Sequence, residues 1–74
     1  MPHVVVKMLP GRTEQQKIQL AGAIVKDVVA IARCGEEAVS VAIEEVKAED
    51  WDEKVHKPEI LPRLEKLYKK PGYE

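Results

Sequence analysis

The sequence lacks the residues with which short chains usually stabilise their fold, namely cysteine pairs for disulfide bonds and clusters of metal ligands. Its 74 residues include one cysteine, one tryptophan, two tyrosines and no phenylalanine. A single cysteine cannot form a disulfide within the chain, and no CxxC motif or His/Cys cluster offers a structural metal site. A chain of this length buries only about 60% of the surface that its unfolded form exposes. We therefore expect a single domain, residues 1–74, that is stabilised by association with copies of itself.

The charge and the apolar runs exclude several classes of partner. Twelve Lys and Arg residues against 13 Asp and Glu residues give a net charge of −1, whereas a nucleic-acid-binding domain normally carries a basic excess. No apolar run approaches the ~20 residues of a membrane span. Lys7 and Pro10 interrupt the short apolar stretch near the start, unlike a signal peptide. Together with the lone Cys34, this predicts a soluble cytoplasmic protein without nucleic-acid or membrane partners.

The hydropathy pattern predicts a strand, a helix and a second strand. Three consecutive valines, Val4–Val6, favour a strand buried on both faces. Thr13–Gln16 has the spacing of a capping box, and the apolar stripe over Leu20–Ile31 predicts a helix that ends with Gly35 as a left-handed residue. Alternation over 39–44 predicts the second strand. Because a βαβ unit has parallel strands and two strands do not make a stable sheet, we expect another subunit to complete it.

The last third of the chain has a different pattern, with short helical pieces. Asp50–Glu53 has the form of a second capping box with Asp50 as the cap. Pro58 and Pro62 are expected to divide the residues that follow into short segments. His56 lies in this charged, proline-flanked stretch, so we expect its side chain to be solvated.

The residue with the clearest chemical potential is Pro2, because removal of Met1 would make it the amino terminus. An amino-terminal proline carries a secondary amine, and an ordinary α-amino group has a pKa of about 7.7–8.0. An apolar site or a nearby cation would lower that pKa, which suits a general base near neutral pH. A Met-Pro start is also compatible with no chemical role, so the interpretation depends on the rest of the sequence.

In its context, Pro2 resembles the amino-terminal base of the 4-oxalocrotonate tautomerase family. The resemblance covers essentially the whole chain and rests on Pro2, Leu9–Lys17, Ser40–Val46 and Trp51, and the ending Lys69–Tyr73 looks like the PptA-type bacterial branch. It implies an α/β fold, the βαβ tautomerase fold, whose parallel strands are extended into a larger sheet by oligomerisation. It also implies an isomerase that converts enol acids to keto acids without a cofactor or metal.

The resemblance assigns roles to five residues. Pro2 would act as general base and then acid, and Arg12 would bind a carboxylate or carbonyl, for which a guanidinium is well suited. Trp51 would form an apolar wall and Leu9 would border the site. Arg12 and Trp51 also have structural alternatives, as a surface arginine and as a core or interface anchor. Ser40 stands where well-known members carry a second arginine. A serine hydroxyl, the Trp51 N–H, water or a basic residue of another subunit would have to replace that donor.

These observations predict a homo-oligomeric tautomerase that acts on small enol or keto acids. Without the second arginine we expect a mono-acid such as phenylenolpyruvate to be a better substrate than the dicarboxylate 2-hydroxymuconate. The ending of the chain favours a homodimer, and a hexamer is the family's other common state. A related proline-dependent decarboxylase or hydratase is an alternative function. A non-catalytic oligomeric binding module that retains the fold is another.

Overall fold

The computed structural model describes residues 1–73, whose first two thirds form a βαβ unit. Strand β1 (His3–Met8) is followed by helix α1 (Glu14–Ala32), a 3₁₀ turn at Glu36–Ala38 and strand β2 (Ser40–Glu45). The two strands pair in parallel, from His3 opposite Ser40 to Met8 opposite Glu45. The predicted α/β topology is therefore confirmed, and the sheet of the described range has two strands.

The sequence predicts the start of α1 better than its end. Thr13 Oγ1 accepts a hydrogen bond from Gln16 N at 3.1 Å, and Thr13 N donates to Gln16 Oε1 at 2.8 Å, so the capping box is formed. The left-handed residue at the other end is Arg33, with φ 60° and ψ 58°, and not Gly35. Gly35 is extended, because its carbonyl accepts from Ala38 N at 3.1 Å and opens the 3₁₀ turn. The prediction for Gly35 was wrong because α1 ends at Ala32, and the left-handed residue that follows lies two positions before Gly35.

The last third is helical, but the prolines do not divide it as predicted. Helix α2 (Ala48–Trp51) begins after Lys47, so Asp50 lies inside the helix and the second capping box is absent. The chain continues as a nine-residue π-helical segment (Asp52–Ile60) that contains Pro58, and then as a 3₁₀ helix (Leu61–Lys66). A π-helical turn bonds residues five apart, which relieves the clash between a proline ring and the carbonyl four residues earlier.

The single chain encloses very little core. Within residues 1–73, Val55 is the one apolar residue that is buried, at 5% exposed, whereas Val5, Ile18 and Ile31 are 43%, 63% and 80% exposed. The accessible surface is 6026 Å², against about 4,600 Å² for a folded monomer of this mass. The Cα radius of gyration is 13.9 Å, against about 11 Å for a compact domain of this length. The chain is therefore more open than a self-sufficient domain.

Thr13→Ala is expected to destabilise the protein, because it removes the acceptor for Gln16 N at the start of α1. We expect the free energy of unfolding to fall by about 1 kcal/mol, as measured by urea denaturation at a fixed protein concentration. Thr13→Ser keeps the hydroxyl and should retain most of the stability. Equal losses for the two variants would contradict a role for the cap.

Candidate active site

An apolar pocket of about 350 Å³ lies where β1 ends and α2 begins, and it is lined by Leu9, Ala48, Trp51 and Tyr73. Leu9 directly follows β1, and Trp51 is the last residue of α2. The end of β2 is held beside β1 by a hydrogen bond from the N–H of Val46 to the carbonyl of Met8, at 2.9 Å. The fold therefore brings two of the predicted site residues, Leu9 and Trp51, together in one pocket.

Ala48 and Tyr73 also line the pocket, and neither was predicted as a site residue. Trp51 Nε1 donates a hydrogen bond to Tyr73 Oη at 3.2 Å. The Tyr73 ring also packs against the His56 ring, with centroids 5.6 Å apart and planes tilted by 47°. Tyr73 lies 22 residues beyond Trp51, so no local periodicity connects them. The available signal was an aromatic residue placed directly after the helix-stopping pair Pro71–Gly72.

His56 is buried, contrary to the prediction of a solvated side chain. It is 8% exposed and follows the buried Val55, and its Nδ1 lies 3.0 Å from Asp52 Oδ1. The hydrogen bond with His56, aided by Lys57, lowers the pKa of the Asp52 carboxyl. The prediction was wrong because the π-helical segment continues through Pro58 and turns His56 towards Tyr73, while its charged neighbours remain outside.

A group of ion pairs around Lys7 attaches this C-terminal third to the sheet. Lys7 Nζ forms an ion pair with Glu59 in the π-helical segment and lies 3.9 Å from Glu44 Oε1. Lys7 and Glu44 are register partners on β1 and β2, so the three side chains connect both strands to the segment. The hydrogen bond to Glu59 raises the pKa of Lys7, and the charges of Glu59 and Glu44 add to that effect.

Pro2 and Ser40 lie at the opposite end of the sheet from the pocket. The carbonyl of Pro2 accepts a hydrogen bond from the N–H of Ser40 at 3.1 Å, so these two residues are neighbours. Ser40 Oγ is hydrogen-bonded to His3 Nδ1 at 2.6 Å. The six residues of β1 separate Pro2 from Leu9, and at about 3.3 Å per residue step their Cα atoms are roughly 23 Å apart. One chain therefore does not bring all five predicted site residues together.

Arg12 belongs to the loop that follows Leu9, at the pocket end of the sheet. Gly11, with φ 130°, adopts a conformation that glycine tolerates and that sets the chain direction before Arg12. Arg12 is exposed, and within residues 1–73 it forms no ion pair. A guanidinium that has no internal carboxylate partner is available to bind an anionic group.

In the described part of the chain, no three His, Cys, Asp or Glu side chains are grouped so that they could hold a metal ion. None of the helices in that range has the length and apolarity needed to cross a membrane. Cys34 is a half-buried free thiol. The candidate site consists of the apolar, aromatic pocket and the guanidinium of Arg12, which follows Leu9 by three residues.

A family model and two relatives of similar sequence carry tautomerase names. A family model described as tautomerase enzyme matches residues 2–56. The chain is 38% identical over 73 residues to a probable tautomerase of Xylella fastidiosa (strain 9a5c), which covers 99% of this chain and 89% of that protein. It is 40% identical over 74 residues to tautomerase PptA of Enterobacter sp. (strain 638), which covers 99% of this chain and 97% of that one.

Solved structures agree with these matches. YwhB, a homologue of 4-oxalocrotonate tautomerase, superposes with a TM-score of 0.61 at 41% identity, over 62% of this chain and 75% of that one. TomN, a 4-oxalocrotonate tautomerase homologue in the tomaymycin biosynthetic pathway, superposes with a TM-score of 0.66 at 32% identity, over 68% of this chain and 77% of that one. The fold and the relatives define an isomerase of the tautomerase type with the 4-oxalocrotonate tautomerase fold. The chain belongs to the tautomerase family, as its sequence predicted.

Glu59→Gln is expected to lower the free energy of unfolding at neutral pH. The further decrease of this free energy at alkaline pH should be smaller in the variant than in the unmodified chain. Pairing with Glu59 raises the pKa of Lys7 in the folded state. The stabilisation that this pair gives is therefore fully present below the pKa of Lys7 in the unfolded chain, about 10.4, and is lost as the pH rises through its pKa in the folded chain. The variant should therefore show a smaller fall in the free energy of unfolding above about pH 10.4, measured by urea denaturation across the alkaline range.

Glu65→Gln is the matched control, since Glu65 is an exposed glutamate of the same C-terminal third. Its alkaline profile should follow that of the unmodified chain. Some alkaline loss should persist in every variant, because ion pairs also raise the pKa values of Lys17 and Lys57. Identical profiles for Glu59→Gln and the unmodified chain would contradict the role given to Lys7.

Proposed function

We propose that the protein is a cofactor-independent tautomerase that converts enol acids to keto acids, with Pro2 as its base after removal of Met1. The observation that carries the proposal is that the tautomerase family match begins at Pro2. While Met1 is attached, the Pro2 nitrogen is an amide and has no basicity. Met1 is 98% exposed, so its removal loses almost no packing and leaves a secondary amine.

The proposed reaction uses that amine first as a base and then as an acid. The neutral Pro2 nitrogen accepts the proton of the enol hydroxyl, and the oxygen becomes the carbonyl oxygen of the product. The electron pair of the former carbon–carbon double bond takes a proton from the prolinium at the adjacent carbon. The proline returns to its neutral form, so the proton and electron balance closes without a further reactant.

Arg12 and the apolar pocket support this chemistry in different ways. Arg12 is the proposed partner of the substrate carboxylate, which a guanidinium can bind through two parallel hydrogen bonds. Leu9 and Trp51 supply apolar surface that excludes water. An apolar wall and a nearby guanidinium both disfavour the charged amine, and this keeps Pro2 in its neutral, basic form near neutral pH.

The geometry favours a site that is shared between two chains. Pro2 and the pocket lie at opposite ends of the same sheet, roughly 23 Å apart, and the single chain leaves much of its apolar surface exposed. We propose a homodimer in which one copy brings its Pro2 to the Leu9–Trp51 pocket of the other. Because a two-fold interface is self-complementary, the same association builds two equivalent sites.

The residue at position 40 favours a mono-acid substrate. Ser40 carries no charge, and its hydroxyl is engaged with His3 Nδ1. A second carboxylate would therefore meet no cation at this position. We propose an enol mono-acid with an apolar substituent, of which phenylenolpyruvate is a suitable test compound.

Pro2→Ala is expected to lower kcat/KM for phenylenolpyruvate by about 100-fold or more, the usual contribution of a positioned general base. The assay should be paired with the intact mass of the purified chain, which should correspond to a chain that starts at Pro2. Retention of Met1 in the active protein, or an unchanged rate for Pro2→Ala, would refute the proline mechanism. Faster turnover of 2-hydroxymuconate than of phenylenolpyruvate would refute the mono-acid preference.

Complementation between two defective variants tests the shared site. Pro2→Ala and Arg12→Ala should each be inactive alone, but a mixed dimer has one intact site, with Pro2 from one chain and Arg12 from the other. After denaturation, mixing in equal amounts and refolding, statistical pairing should restore about a quarter of the unmodified activity. Light scattering on the same samples gives the assembly mass. A mass of six subunits would exclude the dimer, and no recovery of activity would place the site within one chain.

A further inference from the structure

Tyr73 has no part in the proposed mechanism, yet it lines the same pocket as Leu9 and Trp51. It lies beyond residues 2–56, the range of the family match, and so belongs to the C-terminal third that this chain adds to the βαβ unit. Its side chain is 51% exposed, which is consistent with one side of the ring facing the pocket wall and the other facing solvent. Tyr73 is thus an outer boundary of the pocket.

Tyr73 is fixed in this position from two sides. Its Oη accepts the hydrogen bond from Trp51 Nε1 at 3.2 Å, and its ring packs on His56. His56 is itself buried and hydrogen-bonded to Asp52. The other tyrosine of the chain, Tyr68, is fully exposed, so this packing is not a general property of aromatic residues in the C-terminal third.

We propose that Tyr73 determines substrate specificity, because its ring forms the outer wall of the pocket and selects enol acids that carry a flat aryl substituent. This inference rests on the proposed function and adds the identity of the group that the pocket accepts. A volume of about 350 Å³ is at the small end of the range for organic-ligand sites. An aryl ring near Trp51 and Tyr73 gains edge or offset-stacked contacts, which a short enol acid cannot make.

The hydroxyl of Tyr73 contributes to the same selection by holding Trp51. A buried or half-buried indole N–H normally needs a hydrogen-bond acceptor, and Tyr73 Oη supplies it. The indole is therefore occupied as a donor and acts as an apolar surface towards the ligand. It does not replace the missing arginine at position 40, although the sequence left that role open to it.

The test compares an aryl and a short substrate in variants of the two tyrosines. We expect Tyr73→Ala to raise KM for phenylenolpyruvate about tenfold, the scale of a lost pocket contact, and to leave the short dienol mono-acid 2-hydroxypentadienoate within about twofold. Tyr73→Phe keeps the ring and should retain most of the preference for the aryl substrate. Tyr68→Ala is the matched control and should behave as the unmodified chain.

A binding measurement makes the test independent of turnover. Trp51 is the single tryptophan, so intrinsic fluorescence reports directly on the pocket. Titration with cinnamate, an unreactive aryl mono-acid, should quench this fluorescence, with a Kd about tenfold weaker in Tyr73→Ala. The Tyr73→Phe variant should shift the emission of Trp51 even without ligand, because the indole loses its acceptor.

The outcomes separate this inference from the proposed function. Equal losses on both substrates would overturn it, since Tyr73 would then support the site as a whole. A gain on the aryl substrate in Tyr73→Ala would also overturn it, since the ring would then be an obstacle. If Pro2→Ala is inactive while Tyr73→Ala is unchanged in KM and Kd, this inference alone fails. If Pro2→Ala is fully active while the cinnamate Kd weakens as expected, the proposed function fails and the pocket assignment stands.

Discussion

The parallel pairing of β1 with β2 is the constraint on which the rest of the molecule depends. In a parallel pair, both strands begin at one edge of the sheet and end at the other. Pro2 and Ser40 are therefore neighbours at one edge, whereas Leu9, Val46 and the following helix meet at the other edge. Pro2 and the pocket lined by Leu9 and Trp51 therefore lie at opposite edges of the sheet within one chain. This separation is the geometrical reason for proposing a site that two chains share.

The C-terminal third completes the pocket through a few specific contacts. Lys7 holds Glu59 of the π-helical segment against the sheet, and Trp51 holds Tyr73 across the pocket. His56 lies between these two attachments, buried beside Val55. The pocket is thus built from both parts of the chain, with Leu9 from the βαβ unit and Trp51 and Tyr73 from the C-terminal third.

Local signals were sufficient to predict the βαβ unit, because each element depends on neighbours in sequence. Each of these signals spans only a few residues: the three valines, the threonine followed by glutamine at the capping distance, and the alternation with a period of two. Two misplaced features depend on the course of the chain beyond these local signals. The left-handed residue is Arg33 because α1 ends at Ala32, and His56 is buried because the π-helical segment continues through Pro58 and packs the His56 ring against that of Tyr73.

The same distinction applies to the site. Leu9 and Trp51 could be predicted because the resemblance to a known family supplied their positions, and the structure places both in one pocket. Tyr73 could not, since its contact with Trp51 spans 22 residues and no periodic pattern reaches that far. Composition alone indicated that the chain needs partners. The position of Pro2 relative to the pocket then indicates what such a partner would contribute.

The single chain buries almost no apolar side chains by itself, and this has a consequence for the state of the protein in a cell. The accessible surface of the chain is roughly 1,400 Å² larger than that of an average folded monomer of its mass. A single folded subunit with so much exposed surface is expected to be only weakly stable. For such proteins, folding and assembly follow the same mass-action law, so stability depends on protomer concentration. If assembly occurs as proposed, the rate of synthesis of the chain determines both the amount of enzyme and the fraction of chains that are folded. Folded, inactive monomers would not accumulate.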